Sequence, residues 1–262
     1  MTGRRCVVTG AAGGIGLAIA EALVERGDRV LLADLDEQRV SEAGERLGQP
    51  WFAGDVASEA GVTDLIARAD EELGGVDVFV ANAGIFRGFG LDADEFDWSL
   101  SLDVNLMAHV RAARALVPRW SVENPGVFAV TASAAGLLTQ LGSPTYSVSK
   151  RAAVGFAEWL AATYGDRGVR VTALCPMGVA TPMAEAGETA TEPDARLAHA
   201  SVAAAGETLA PSEAARVLLE AIDEGRFLAL PHESVGTMYG RKAQDTDHWL
   251  SGMQRFRTSL GG

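Results

Sequence analysis

Short apolar and β-branched runs alternate along this chain with longer stretches whose apolar positions recur every three to four residues. The short runs fall at residues 4–9, 29–34, 51–53, 76–81, 127–131, 169–175 and 227–230. The helix-periodic stretches fall at 15–26, 37–47, 58–73, 95–121, 146–164 and 212–224. Near-continuous apolar runs signal strands buried on both faces, since a half-exposed strand would alternate. Such strands, alternating with helices of this length, predict an α/β fold built on a parallel sheet with helices on both faces. Right-handed crossovers make the sheet doubly wound, with about seven strands.

Two stretches depart from this rhythm. Residues 178–209 are rich in Ala, Glu and Thr and show little apolar periodicity. They predict a long irregular insertion between strand and helix, the usual form of a lid, here assigned to 178–210. The tail at 231–262 carries Trp249, Met253 and Phe256 at helical spacing. It predicts a helical tail whose apolar face packs on the domain or on another subunit. No linker or repeat interrupts the pattern, so residues 1–262 are expected to form a single domain.

Hydrophobic residues make up 48% of the chain, enough for a substantial core, and the net charge is −13. An acidic surface repels phosphate backbones and anionic headgroups, so neither nucleic acid nor a membrane surface is an expected partner. Cys6 and Cys175 both lie in strand-like runs, which predicts buried free thiols in a reducing compartment. Met1-Thr2-Gly3-Arg4-Arg5 leads straight into the first apolar run, and no apolar stretch approaches the ~20 residues of a membrane span. A soluble cytoplasmic protein is expected. His109, His199, His232 and His248 share no ligand spacing, so no metal site is expected.

Thr9-Gly10-Ala11-Ala12-Gly13-Gly14-Ile15-Gly16 follows the first strand and opens the first helix. Gly10, Gly14 and Gly16 permit a tight turn and a close backbone approach. The helix start, with Ile15, then presents N–H groups and positive dipole to a pyrophosphate. This placement makes the fold Rossmann-type and the domain a dinucleotide-binding one. Asp34 ends the second strand, where a carboxylate can accept both ribose hydroxyls of NAD and repel the 2′-phosphate of NADP. Neither Ala12 nor Leu35 beside it supplies a cation for that phosphate, and Arg39 is the nearest candidate. Asp34 can instead cap the next helix, a role Asp36 can also fill. Asp55 and Val56 end the third strand, where Asp55 can meet the adenine amino group or serve only as a turn residue.

Tyr146-Ser147-Val148-Ser149-Lys150 places a phenol and an ammonium at i and i+4, on one helix face. A free phenol titrates near 10, and a fixed positive charge nearby favours the phenolate. A Tyr tuned in this way can exchange a proton with an alcohol or ketone oxygen. Ser133 lies 13 positions before Tyr146.

Together these residues resemble the short-chain dehydrogenase/reductase family, in its simple single-domain branch, from Arg4 to about Leu230. The matching motifs are the glycine turn, Asn82-Ala83-Gly84, Asn105, Ser133, Tyr146-x-x-x-Lys150, and Pro176 through Thr181. The resemblance implies that Tyr146 is the general acid/base and that Lys150 lowers its pKa and binds the nicotinamide ribose. Ser133 would then hydrogen-bond the substrate oxygen, and Asn105 would hold a water linking Lys150 to solvent. Asn82, Ala83 and Gly84 would line the cofactor cleft, Pro176 would also contact the cofactor, and backbone groups of Val179 with the Thr181 hydroxyl would hold the carboxamide. The resemblance also implies a homotetramer or a homodimer. One departure stands out: Met177 occupies the place where the family commonly has Gly after Pro. If that place needs positive φ, Met fits poorly and Gly178 absorbs the bend.

Substrate contacts are expected from Ala134, Leu137, Leu138 and Gln140, from Phe86 and Phe89, and from Met177 and Met183. The mix is apolar, which predicts a hydrophobic secondary alcohol or ketone, with Arg87 the one cation near an anionic tail. Two further readings compete with an NAD-linked alcohol dehydrogenase/ketoreductase. One is a lyase on the same scaffold, the other a redox-silent NAD-binding sensor. Lys150 and the glycine turn, both kept, argue against the lyase, and the intact Ser133, Tyr146 and Lys150 set argues against the sensor.

Overall fold

The computed structural model describes residues 3–184 and 191–261. Seven strands form one sheet: β1 (Arg5–Thr9), β2 (Arg29–Asp34), β3 (Trp51–Ala53), β4 (Val78–Ala81), β5 (Gly126–Thr131), β6 (Val169–Leu174) and β7 (Leu228–Ala229). Their spatial order is β3-β2-β1-β4-β5-β6-β7, and every pairing is parallel. The order reverses between β1 and β4. The crevice at the carboxyl ends of those strands is where such sheets bind ligands.

Side chains alternate across the sheet and build a core on each face. Val7, Leu31, Phe79 and Phe128 enter one core; Cys6, Val8, Val78 and Val127 enter the other. Helices α1 (Gly14–Glu25), α2 (Glu37–Leu47) and α3 (Glu59–Leu73) link the first four strands. Leu65 and Ile66 of α3 cover the first core, and Ile19 and Leu23 of α1 the second. Full burial of each such Leu or Ile contributes about 1.5–3 kcal/mol. Asp36, not Asp34, caps α2 by accepting from the Arg39 N–H at 3.1 Å. The two cysteines are buried and free, as their positions imply. Among the described residues, no helix is long and apolar enough to cross a membrane.

The single long helix expected at 95–121 is broken. It comprises α4 (Glu95–Leu102), a π-helical turn (Asp103–Met107), α5 (Ala108–Leu116) and a 3₁₀ turn (Val117–Arg119). The π turn carries Asn105, whose side chain reaches out of the helix to another segment's backbone, which explains the wide turn locally. Next come the short α6 (Ala134–Leu137) and α7 (Pro144–Tyr164). The segment expected to be irregular at 178–209 contains α8 (Pro193–Ala205). Pro193 at its first turn starts this helix, and its Ala-rich sequence has high helix propensity without strong amphipathicity. Residues 185–190 of the expected lid lie outside the described residues. After α9 (Pro211–Asp223) and β7, the tail forms α10 (Glu233–Gln244) and α11 (Thr246–Ser259).

Candidate active site

Every motif residue lies at or beyond the carboxyl end of a strand. At the end of β1 the chain turns through Gly10 and Gly14 with φ of +65° and +54°. A Cβ on Gly16 would sit 2.1 Å from the Gly10 carbonyl oxygen, so the turn cannot close with any larger residue. The α1 N-cap, Gly13, has no capping side chain, and the first turn holds no acid. The N–H groups at the start of α1, including that of Ile15, therefore remain suited to an anion. Thr9 accepts from the Asn82 and Ala83 N–H groups at 2.9 and 3.0 Å, while Asn82 Nδ2 donates to the Thr9 carbonyl at 3.0 Å. These bonds fasten the 82–84 turn to the glycine turn.

Asp34 accepts from the Ala12 N–H at 2.9 Å through one oxygen and from the Asp36 N–H at 3.2 Å through the other. Its carboxylate is therefore oriented by backbone at the rim of the glycine turn. Leu35 beside it is 74% exposed. Asp55 accepts from the Ala57 N–H at 3.0 Å, an Asx turn, and Val56 borders a small cavity shared with Ala83 and His109. On the far side, a Cβ on Gly14 would approach Thr181 Cγ2 to 3.2 Å, so the 176–181 segment closes against the glycine turn. Val179 pairs with Leu209 in a parallel bridge that anchors this segment. The cradle has the shape and donors of a dinucleotide site.

Helix α7 is capped by Ser143, which accepts from the Tyr146 N–H at 3.4 Å and sets Tyr146 in the first turn. Lys150, one turn on, is buried, and its ammonium donates to the Thr131 carbonyl at 2.9 Å. Its Nζ lies 5.7 Å from the Tyr146 ring centroid. A Cβ on Gly84 would be 3.1 Å from both Lys150 Nζ and Asn105 Oδ1, so these three residues, distant in sequence, share one point. The Asn105 amide accepts from the Ile85 N–H at 2.9 Å and donates to the Ile85 carbonyl and Ser149 hydroxyl, each at 3.0 Å. Its side chain thus fastens π turn, 82–85 loop and α7 together.

Ser133 caps α6 by accepting from the Ala135 N–H at 3.1 Å and is hydrogen-bonded to Tyr146. The two hydroxyl groups, 13 residues apart in sequence, meet at the end of β5. Burial raises the Tyr146 pKa above its ordinary value, and the Ser133 hydrogen bond opposes that rise. Burial draws Lys150 down to about 8. The expectation that Lys150 is what tunes Tyr146 therefore meets a different balance in the protein alone: desolvation is the largest influence, and the Ser133 hydrogen bond is the one that opposes it. His109, one helical turn after Asn105, is fully buried and is pushed down to about 3 by desolvation and by the Lys150 charge. It is neutral at any working pH.

Met177 has negative φ, since among the described residues only glycines have positive φ. The substitution of Met for Gly therefore carries no backbone strain. Its N–H donates to His232 Nδ1 at 3.3 Å, and its Cε packs against Gly206. A cleft of about 810 Å³ opens beside the reactive groups, lined by Gly84, Phe86, Arg87, Phe89, Met183 and Ala195 among others. Phe86 is its aromatic wall, meeting Tyr146 edge-on at 4.7 Å between centroids and also touching Phe89 and His199. Of the anticipated substrate residues, Met183 lines this cleft with Phe86 and Phe89. Ala134 and Leu138 are instead buried in the core. Gln140 donates to the Ala198 carbonyl and Ser201 hydroxyl, each at 2.9 Å, which pins α8 over the α6–α7 loop. Arg87 is paired with Asp97 at 2.5 Å.

Two tail residues escaped the sequence reading. His232 bridges the Met177 N–H to the Glu207 carbonyl, 3.1 Å from its Nε2. Lys242 donates to the Leu137 carbonyl at 2.8 Å and to that of Leu138, tying α10 to the loop after Ser133. Nothing local marks either residue in the sequence, because each acts across a long chain separation.

The sequence profile of the short chain dehydrogenase family matches residues 4–192, well over half of the chain. The chain belongs to the short-chain dehydrogenase/reductase family. It is an oxidoreductase by that membership. It is 31% identical to "Oxidoreductase UcpA" of Escherichia coli (strain K12) over 260 residues, covering 97% of this chain and 92% of that protein. It is 32% identical to 1-deoxy-11-beta-hydroxypentalenate dehydrogenase of Streptomyces avermitilis, covering 91% and 88%. A short chain dehydrogenase/reductase from Burkholderia phymatum in complex with NAD superposes with a TM-score of 0.84. It shares 28% identity, and 94% of each chain is covered. A nicotinamide cofactor therefore suits the cradle described above.

Proposed function

We propose that this oxidoreductase transfers hydride between NAD(H) and a hydrophobic secondary alcohol or ketone. The observation that carries this reading is the hydrogen-bonded Ser133–Tyr146 pair, with Lys150 behind it, at the mouth of the dinucleotide cradle. Asp34 supports NAD over NADP, because its fixed carboxylate suits two ribose hydroxyls and repels a phosphate. Residues 1–262 act as one binding and catalytic domain, with 178–210 as lid and the 231–262 tail as its brace. Subunits associate as a homodimer or homotetramer.

When bound, the nicotinamide supplies the hydride acceptor or donor. The protein handles the proton and the oxygen. In the oxidative direction Tyr146, as phenolate, takes the proton from the substrate hydroxyl while the carbinol C–H bond breaks and the C=O bond forms. Ser133 donates a hydrogen bond to that oxygen and holds it against the phenol. The positive charge of an oxidised nicotinamide and the Lys150 ammonium oppose the desolvation that otherwise keeps the phenol protonated. Lys150 also holds the nicotinamide ribose. With the Asn105 side chain committed to Ile85 and Ser149, backbone groups of the π turn are left to hold a relay water. Phe86, Phe89 and Met183 give the cleft an apolar wall, while Asp92, Asp94 and Glu192 on its rim, with Arg87 paired to Asp97, disfavour a carboxylate tail.

Absorbance at the NADH wavelength, followed with a panel of neutral and carboxylate-bearing secondary alcohols, tests the reading. Turnover confined to neutral apolar members is expected. Tight NADH binding with no turnover on any member would contradict it.

A further inference from the structure

The proposed hydride and proton steps give His232 no part, yet it is buried and both its ring nitrogens are engaged. Its place follows from the way the sheet ends. Along the edge of β6, the Ala173 N–H donates to the Phe227 carbonyl at 2.6 Å and the Cys175 N–H to the Ala229 carbonyl at 2.9 Å. The next bond of that ladder would run from the Met177 N–H to Pro231, but the chain bends at 231–232, just before α10 begins. The His232 side chain takes the place of the missing backbone acceptor, and its Nδ1 accepts from the Met177 N–H at 3.3 Å.

Two fixed partners set the position of the ring proton. A backbone N–H can only donate, so Nδ1 is unprotonated. A carbonyl can only accept, so Nε2 carries the proton and donates it to the Glu207 carbonyl at 3.1 Å. The ring therefore spans two chains, one that opens the 177–181 segment and one that leaves α8. The same two chains are joined further on. The Leu209 N–H donates to the Gly178 carbonyl at 3.0 Å, and the Ala180 N–H to the Leu209 carbonyl at 2.9 Å. The imidazole is itself firmly held. His232 is the N-cap residue of α10, Val235 three residues on lies in the core, and Lys242 ties the far end of α10 to the Leu137 carbonyl. At its other end the 177–181 segment closes on the glycine turn through Thr181.

We propose that His232 is a positioning residue for the nicotinamide half of the cofactor: by bracing the Met177 N–H against the 207–209 chain, it fixes the backbone from which the carboxamide is held. This rests on the proposed function, with the 176–181 segment meeting the nicotinamide. The adenosine half, bound at the glycine turn and Asp34, does not depend on it.

Calorimetric titration with NADH and with ADP-ribose, which lacks the nicotinamide, separates the two halves without any turnover. His232→Leu removes both polar bonds at similar bulk. It is expected to weaken NADH about tenfold while changing ADP-ribose less than about threefold. His232→Asn puts an oxygen where Nδ1 stands and is expected to restore most of the NADH affinity. His232→Gln reaches only the Nε2 position and is expected to retain the loss. Equal weakening of both ligands by His232→Leu, or a Gln variant that binds NADH as well as the Asn variant, would overturn the proposal. Nitrogen NMR of the ring needs only the wild-type protein: an unprotonated Nδ1 is expected, and a protonated one would overturn it. Thr181→Ala separates this inference from the reading beneath it. NADH weakened by Thr181→Ala but not by His232→Leu would sink the positioning role alone. NADH affinity unchanged by both would remove the nicotinamide from this segment and the inference with it.

Discussion

Burial acts in opposite chemical senses on Tyr146 and Lys150: it holds the phenol protonated and eases the ammonium towards losing its proton. The consequence is measurable at the residue itself. In the protein alone, the Tyr146 phenol is expected to titrate above its ordinary value, isolated as the ultraviolet difference between wild type and Tyr146→Phe. The pH profile of kcat/KM for the alcohol, measured with saturating NAD, is expected to break at lower pH, because the cofactor's positive charge is then present. Coincident values would mean that the cofactor charge does not tune the phenol. The same scale shows what sequence could reveal. Tyr146 and Lys150 are one helical turn apart, so spacing alone displayed their shared face. The Ser133 hydroxyl needs β5 and α7 side by side, and only the family resemblance pointed to it. Whether Met177 needs positive φ stays open in the sequence, because φ is not written in residue identity; its φ is negative. Packed against Gly206 and half-buried, it is expected to contribute about 1–2 kcal/mol, so Met177→Gly should destabilise the protein in urea titration. A neutral or stabilising outcome would contradict that reading.

At the scale of elements, the strands and most helices follow from apolar periodicity, whereas two features do not. The π turn at Asp103–Met107 exists with Asn105 bonded to Ile85 and Ser149, a tertiary arrangement that no local pattern encodes. Asn105→Ala leaves the Ile85 N–H and carbonyl without these partners and is expected to cost about 3 kcal/mol, with activity falling alongside. An unchanged urea midpoint would show that the π turn stands without it. Helix α8 was invisible because its apolar residues are mostly Ala, which gives propensity but little periodic contrast. Gln140 is the side chain that ties α8 to the catalytic loop. Gln140→Ala is expected to raise KM for the alcohol several-fold while leaving NAD affinity unchanged. A matched loss of NAD affinity would place α8 over the cofactor instead of the substrate cleft.

Across the whole molecule, the seven-stranded order with its reversal between β1 and β4 brings residues from the ends of six strands, β1 to β6, to one crevice. Sequence rhythm was sufficient for a doubly wound parallel sheet of about seven strands, since each strand is short, apolar and followed by a helix; the strand order is seen only in the structure. Burying Lys150 to form the crevice carries a stability cost with a defined pH dependence. Its folded pKa, about 8, lies below the ordinary lysine value of 10.5. The unfolded chain therefore binds more protons between these values, and the penalty is complete below pH 8 and fades as pH rises towards 10.5. Its ceiling is roughly 3 kcal/mol. The buried thiols Cys6 and Cys175, both raised, act in the opposite direction above pH 9, so the lysine contribution is read as a difference. Any stability advantage of Lys150→Met over wild type in urea titration should shrink as pH rises from 8 to 10. A constant difference would mean that the ammonium is better solvated than its burial implies.

The central claim is that Tyr146 moves the proton that accompanies hydride transfer. The most direct measurement is the single-turnover rate of NADH formation by Tyr146→Phe, with NAD affinity determined on the same preparation. The expected result is NAD affinity within about threefold of wild type and a rate reduced by about 10³-fold. NADH formation near the wild-type rate with NAD affinity intact would contradict it.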